Sequence, residues 1–148
     1  MAFISMFIGQ YSHNLDEKGR VAVPAKFRPQ LKSAVVTKGL DNCLFLYPQK
    51  EWDKMAKEIS ELPIDKSGNR AFSRAMLAGA MEVEFDKQGR IILPEYLRHF
   101  AGLHKNVIVA GIYNRLEIWD ETKWNKYQDN SEKNYNEIAE ALRDIKSS

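Results

Sequence analysis

Polar and apolar positions alternate with period two through MEVEFDKQGRIIL, residues 81 to 93. Met81, Val83 and Phe85 share one parity with Glu82 and Glu84 between them, and Ile91 and Leu93 resume the pattern after DKQGR. That predicts a β-hairpin around a tight turn. Asp at the first turn position and Gly at the fourth suit a type I turn closed by a left-handed glycine in a G1 bulge, which restores strand twist. Pro94 then ends the strand, because a strand-interior proline removes a ladder donor, and proline suits the first turn of a helix. Leu97 and Ala101 fall at i, i+4 on a short helix. Two more short strands, VIVA and LEIW, flank a turn at Gly111 to Asn114. The same succession is predicted earlier: a hairpin around DEKGR (16 to 20), then Pro24, Phe27 and Leu31, then VVT and CLFLY around Gly39 to Asn42.

Helical periodicity follows each set of strands. Trp52, Met55, Ala56, Ile59 and Leu62 mark one face of a helix stopping near Pro63, and after the loop IDKSGN the run RAFSRAMLAGA predicts another, with Phe72, Ala75, Met76 and Gly79 along one side. At the C-terminus Trp124, Tyr127, Ser131, Tyr135, Ile138, Leu142 and Ile145 recur every three or four residues in a polar stretch. This stripe is expected to pack either on its own strands or on a neighbouring chain.

The echo is a duplication. Shifted by 70 positions, residues 7 to 28 align with 77 to 98, matching Gly9/Gly79, Asp16/Asp86, Gly19/Gly89, Arg20/Arg90, Pro24/Pro94 and Arg28/Arg98. After a two-residue gap, 35 to 52 align with 107 to 124, matching Gly39/Gly111, Asn42/Asn114, Leu44/Leu116 and Trp52/Trp124. Two copies are too few for a solenoid, so a closed pseudo-twofold pair is expected. Trp52 and Trp124 are expected to pin their helices to the strands.

Composition narrows the class. With 148 residues, 44% hydrophobic and 28% charged, the chain is globular and long enough to bury a core. Its single cysteine, Cys43, allows no intramolecular disulfide and points to a reducing, cytoplasmic setting. The N-terminal MAFISMFIG lacks a basic leader, and no run approaches a membrane span, so a soluble, unprocessed chain is expected. Net charge is only +2, but residues 1 to 74 carry 12 Lys+Arg against 8 Asp+Glu and residues 75 to 148 carry 10 against 12. Basicity gathers around the first repeated phrase, with Lys18, Arg20, Lys26, Arg28 and Lys32 against Asp16 and Glu17.

The doubled D-x-x-G-R followed by P-x-x-x-R, each trailed by a helix, resembles the MraZ family of bacterial transcriptional regulators, whose units are similar to the AbrB-type swapped-hairpin DNA-binding domain. The resemblance runs from Met6-Phe7-x-Gly9 to the C-terminus, leaving Met1 to Ser5 as a short extension. It implies a mainly β fold with α: a double-split β-barrel formed by two tandem repeats in one chain, 6–75 and 76–148, building one compact domain with flanking helices. It further implies a ring-shaped homo-oligomer, nucleoid-associated, binding short direct repeats in double-stranded promoter DNA upstream of the division and cell-wall gene cluster.

The residues support such a mechanism independently. A two-stranded ribbon can enter the major groove, where arginine reaches guanine O6 and N7 bidentately. Lys18 and Arg20 on one tip, with Lys87 and Arg90 on the other, are the candidate DNA contacts; Lys26, Arg28 and Arg98 are candidate phosphate contacts. Asp16, Gly19, Asp86 and Gly89 are expected to support the tips. Each feature has a plainer reading: Arg20 and Arg90 as surface ion pairs with Asp16 and Asp86, Arg28 and Arg98 as part of a solvated helix face. His13, His99 and His104 lack metal-ligand spacing, and Glu82, Glu84 and Asp86 read as the solvent side of a strand. No catalytic or nucleotide-binding fingerprint appears, so no enzyme, cofactor or small-molecule substrate is expected. The competing class is an antitoxin-like or scaffold module that binds protein rather than DNA.

Overall fold

The computed structural model describes residues 6–147, and the extension read at Met1 to Ser5 lies outside them. The first half runs β1 (Phe7–Asn14), β2 (Arg20–Ala22), a 3-10 helix (Ala25–Leu31), β3 (Ala34–Lys38), β4 (Leu44–Pro48) and α1 (Gln49–Ser60). The helix α2 (Ser67–Ser73) and a π-helical turn (Arg74–Ala78) lead to the second half: β5 (Met81–Val83), β6 (Arg90–Ile92), α3 (Glu95–Ala101), β7 (Asn106–Tyr113), β8 (Leu116–Asp120) and α4 (Glu121–Lys133). The helix α5 (Tyr135–Ser147) follows.

The strands form a six-stranded antiparallel sheet in the order β1-β7-β8-β4-β3-β5 and a two-stranded ribbon of β2 and β6. Exchanging the two halves turns that order into its own reverse. Equivalent residues face each other at Val21↔Ile91 in the ribbon and at Phe45↔Glu117 in the sheet, which marks where the pseudo-twofold axis crosses each.

The expected hairpins around DEKGR and DKQGR take a different form. Their arms diverge: β1 pairs along its length with β7, β5 pairs with β3, and β2 pairs with β6, each partner belonging to the other half. Among the described residues the arms of the first turn share a single β-bridge, Leu15↔Val21, beside the hydrogen bonds of the turn itself. The burial pattern accounts for the exchange. Val21, Val23, Ile91 and Leu93 are wholly buried, and the ribbon shares one core with Phe7, Val36, Leu44, Leu46, Val107, Val109, Leu116 and Ile118 from one face of the sheet. A hairpin left alone would leave its apolar face against water, whereas the crossed ribbon lays that face over the sheet and buries it.

Phe27 and Leu31 of the 3-10 helix, and Leu97 and Ala101 of α3, close that core as the i, i+4 spacing predicts. The two short helices differ because Pro29 sits inside the first and has no N–H to donate, while α3 has His99 there and ends on left-handed Gly102. The opposite face of the sheet packs Phe45, Tyr47, Ile108, Ala110 and Trp119 against Ile59, Met76 and Trp124, so central strands are buried on both sides. Trp124 meets Trp119 edge-on at 5.4 Å and Trp52 lies 6.1 Å from Tyr47, pinning α4 and α1 to the sheet. Cys43 is a free, buried thiol.

The C-terminal stripe divides at Asn134, which caps α4 outside helical geometry. Trp124 takes α4 onto the sheet, but none of the described α5 side chains belongs to either core, and Tyr135, Ile138 and Leu142 are 69%, 55% and 56% exposed.

Candidate nucleic-acid interface

Each D-x-x-G-R forms the predicted turn. Gly19 N–H donates to the Asp16 carbonyl at 3.0 Å and Asp16 N–H to the Arg20 carbonyl at 3.0 Å; the second turn repeats this with Gly89, Asp86 and Arg90 at 3.1 and 2.9 Å. Gly19 and Gly89 hold φ of +80° and +75°, the left-handed region that a side chain resists.

The aspartates work on two sides. Asp16 Oδ1 accepts the N–H groups of Lys18 and Arg20 at 3.0 and 2.8 Å, and Oδ2 accepts Arg20 Nε at 2.6 Å. Asp86 Oδ1 accepts Gln88 and Arg90 N–H at 2.8 and 3.0 Å, and Oδ2 accepts Arg90 Nε at 2.9 Å. One oxygen therefore closes the turn while the other aims the guanidinium. The N–H of Arg20, and of Arg90 in the second turn, is the main cause holding these carboxyls below their ordinary pKa, so both are ionised at neutral pH.

The ribbon register places both arginines on one surface. Arg20 faces Ile92 and Arg90 faces Ala22, so these four residues share the ribbon's outer face, while Val21 and Ile91 point into the core. Arg90 Nη1 also lies 3.8 Å from Asp16 Oδ2, across the pseudo-twofold axis. With Nε held by aspartate, the terminal nitrogens of each guanidinium keep the fork that pairs with two acceptors.

The turns are also locked to each other. Leu93 N–H donates to the Gly19 carbonyl at 2.8 Å and Val23 N–H to the Gly89 carbonyl at 3.2 Å. Behind them, Arg98 Nε donates to the Leu93 carbonyl and Arg28 Nε to the Val23 carbonyl, both at 2.9 Å. Arg98 packs on Gly19 and Arg28 on Gly89, so each arginine braces the other half's turn. The structure therefore brings Asp16, Arg20, Asp86 and Arg90 together and sets Arg28 and Arg98 half-buried behind them. Lys18 and Lys87 stand exposed on the turns; Lys26 is exposed too, its Nζ 4.8 Å above the Tyr11 ring.

Ile92 is a member of this surface that sequence reasoning passed over. It is 60% exposed beside the arginines, and its shared parity with Arg90 was the available signal. The surroundings of the tips differ: β5 leads into the second through exposed Glu82 and Glu84, whereas β1 leads into the first through exposed Ser12 and Asn14. Among the described residues no group of three or more His, Cys, Asp or Glu could hold a metal, and no helix is long and apolar enough to cross a membrane.

A doubled turn that displays paired arginines on a ribbon shared by two repeats defines a class of β-ribbon proteins, and the comparisons say which. The family model described as "MraZ protein, putative antitoxin-like" matches residues 6–75 and again 76–146, and the chain belongs to that family. It is 49% identical over 141 residues to the transcriptional regulator MraZ of Halothermothrix orenii, covering 95% of this chain and 99% of that protein. Identity is 52% with the protein of the same name from Natranaerobius thermophilus and 48% with that from Syntrophomonas wolfei, with the same coverage.

Proposed function

We propose that this chain is a transcriptional regulator that reads double-stranded DNA through the outer face of the β2–β6 ribbon. The observation that carries the reading is the placement of Arg20 and Arg90 on one solvent face, each with Nε held by an aspartate and its terminal nitrogens left to donate. A two-stranded ribbon fits the major groove, and a bidentate arginine–guanine pair discriminates by about 1–3 kcal/mol. Ile92 adds an apolar group suited to a thymine methyl. Lys18, Lys87 and Lys26 meet phosphates, which orient the ribbon without reading sequence. Arg28 and Arg98 add to phosphate attraction mainly as charges, because Val23 and Leu93 hold their Nε groups.

One ribbon with two arginines reads few bases. Assembly into a ring, set against short direct repeats upstream of the division and cell-wall genes, supplies the rest, since linked sites raise avidity by about 10²–10⁴. The exposed Tyr135, Ile138 and Leu142 of α5 offer a face for contact between copies.

The test is binding to a duplex from the chain's own upstream region with the Arg20→Ala, Arg90→Ala double variant. A loss of about 100-fold or more is expected, and unchanged affinity removes the tips from the mechanism. A second reading, a protein-binding module of antitoxin-like kind, draws on the family description and on the same face of α5. Salt separates the two: DNA affinity falls with a log-log slope of about −0.9 per phosphate neutralised.

A further inference from the structure

The two tip carboxylates are not equivalent. Asp86 Oδ2 engages only its own arginine, at 2.9 Å, whereas Asp16 Oδ2 holds Arg20 at 2.6 Å and also faces Arg90 Nη1 at 3.8 Å. Among the described residues no ion pair joins Arg20 to Asp86. Asp16 thus touches arginines of both halves and Asp86 of one. The Arg90 contact exceeds hydrogen-bond length and does not set the Asp16 pKa, which the Arg20 N–H chiefly lowers. Its effect is to orient. The guanidinium of Arg90 lies between two carboxylates, which restricts its plane, and the cross-half bonds from Leu93 to Gly19 and from Val23 to Gly89 fix the spacing of the turns.

We propose that Asp16 is the positioning residue of both tips: it holds Arg20 directly and draws Arg90 across the pseudo-twofold axis, so that two guanidiniums from different repeats are presented as one reading unit. This rests on the DNA-reading function proposed above and adds a coupling between the halves that the function alone does not require. A carboxylate in this role opposes phosphate attraction while sharpening geometry. Removing its charge therefore lowers affinity for the right sequence but not for an arbitrary one.

Asp16→Asn is the suitable change, because the amide oxygen still accepts the turn N–H groups while the charge that holds the arginines is lost. Full-length protein would be titrated with the duplex it protects in its own upstream region and with a scrambled duplex of equal length and composition. The ratio of the two affinities should fall at least tenfold in Asp16→Asn, with scrambled binding unchanged or tighter, and about threefold or less in Asp86→Asn. The decisive measurement is the cycle of Asp16→Asn with Arg90→Lys. The proposal expects a coupling of at least threefold in the ratio, because two residues that interact do not add. Additive losses, or an Asp86→Asn loss equal to that of Asp16→Asn, overturn it, since purely local support of each tip by its own aspartate gives both. A wild type that binds the two duplexes alike overturns the DNA-reading function itself, and the shared role with it. If Asp16→Asn does not fold, Asp16→Ser, whose hydroxyl still caps the turn, takes its place in the cycle.

Discussion

The first half of the chain brings its tip up on a strand of eight residues and the second on one of three, although both tips are built from the same five-residue phrase. Inside the turns the halves agree to within a few tenths of an ångström in their hydrogen bonds. Outside them they part. The short helix after the first tip is 3-10 and that after the second is α; Ser12 and Asn14 flank one tip, Glu82 and Glu84 the other; and on the axis Phe45 of one half faces Glu117 of the other. The contrast shows which parts tolerate drift. A turn whose aspartate, glycine and arginine each carry a separate geometric duty has little room to change, whereas an approach strand or trailing helix has only to bury its apolar side.

If the turns are equivalent and their surroundings are not, the same substitution should cost different amounts in the two copies. Alanine at Gly19 or Gly89 must adopt positive φ, at about 1–2 kcal/mol. At Gly19 the added Cβ also meets the Leu93 carbonyl oxygen at 2.9 Å, a backbone atom that cannot swing aside. At Gly89 it meets the Arg28 guanidinium, the end of a flexible side chain. Gly19→Ala is expected to lower stability by roughly 2–3 kcal/mol and Gly89→Ala by about 1–2. Denaturant unfolding would measure both, and equal values would mean that the braces behind the turns are equally rigid.

Much of this is legible in the sequence, and the rest is hidden for physical reasons. Period-two alternation placed Val83, Ile91 and Leu93 inward and Glu82 and Glu84 outward; Pro24 and Pro94 ended their strands; and the glycines took the left-handed turn positions. Pairing partners could not be read, because β1 and β5 present the same alternating face to a neighbour in their own half or in the other. The brace role of Arg28 and Arg98 was hidden for a related reason, since each touches a glycine of the opposite repeat, far away in sequence. Glu117 was missed within LEIWD: it is buried, its Oε2 accepts from Arg115 at 2.8 Å and its Oε1 from Trp119 Nε1 at 3.0 Å, a satisfaction no periodicity announces. The division of the C-terminal stripe at Asn134 was invisible because apolar spacing continues unbroken across it.

A smaller effect tests the electrostatic side of the contrast. If the ribbon reads DNA as proposed, exposed Glu82 and Glu84 would repel phosphate near the second tip, so Arg20→Ala should cost more DNA affinity than Arg90→Ala, by about threefold to tenfold. Replacing Glu82 and Glu84 by glutamine should raise affinity a few-fold at low salt and narrow the gap between the two arginine variants. Fluorescence anisotropy at two salt concentrations reads both quantities. A gap that survives the glutamine substitutions would move the asymmetry from the flanking charges to the arginines themselves.

The smallest effect belongs to one half alone. His13 in β1 sits across from Val107, its Nε2 is buried with no hydrogen-bond partner among the described residues, and its counterpart in the second half is Val83. Burial first, and then the nearby Arg28 charge, push its pKa below 6.5. The folded chain therefore resists a proton that the unfolded chain accepts, so stability is highest above about pH 7 and declines as pH falls through 6.5 toward the lowered folded value. Asp16 and Asp86 act in a separate window: their lowered pKa values contribute stability that is complete above about pH 5 and is lost only as pH falls below 3.8. His13→Val, which writes the second half's residue into the first, should flatten the slope of stability between pH 5 and 7 and leave the acid limb unchanged. Denaturant unfolding across that range would check it. A slope that persists in the variant would show that His13 does not carry it and would remove this difference between the halves.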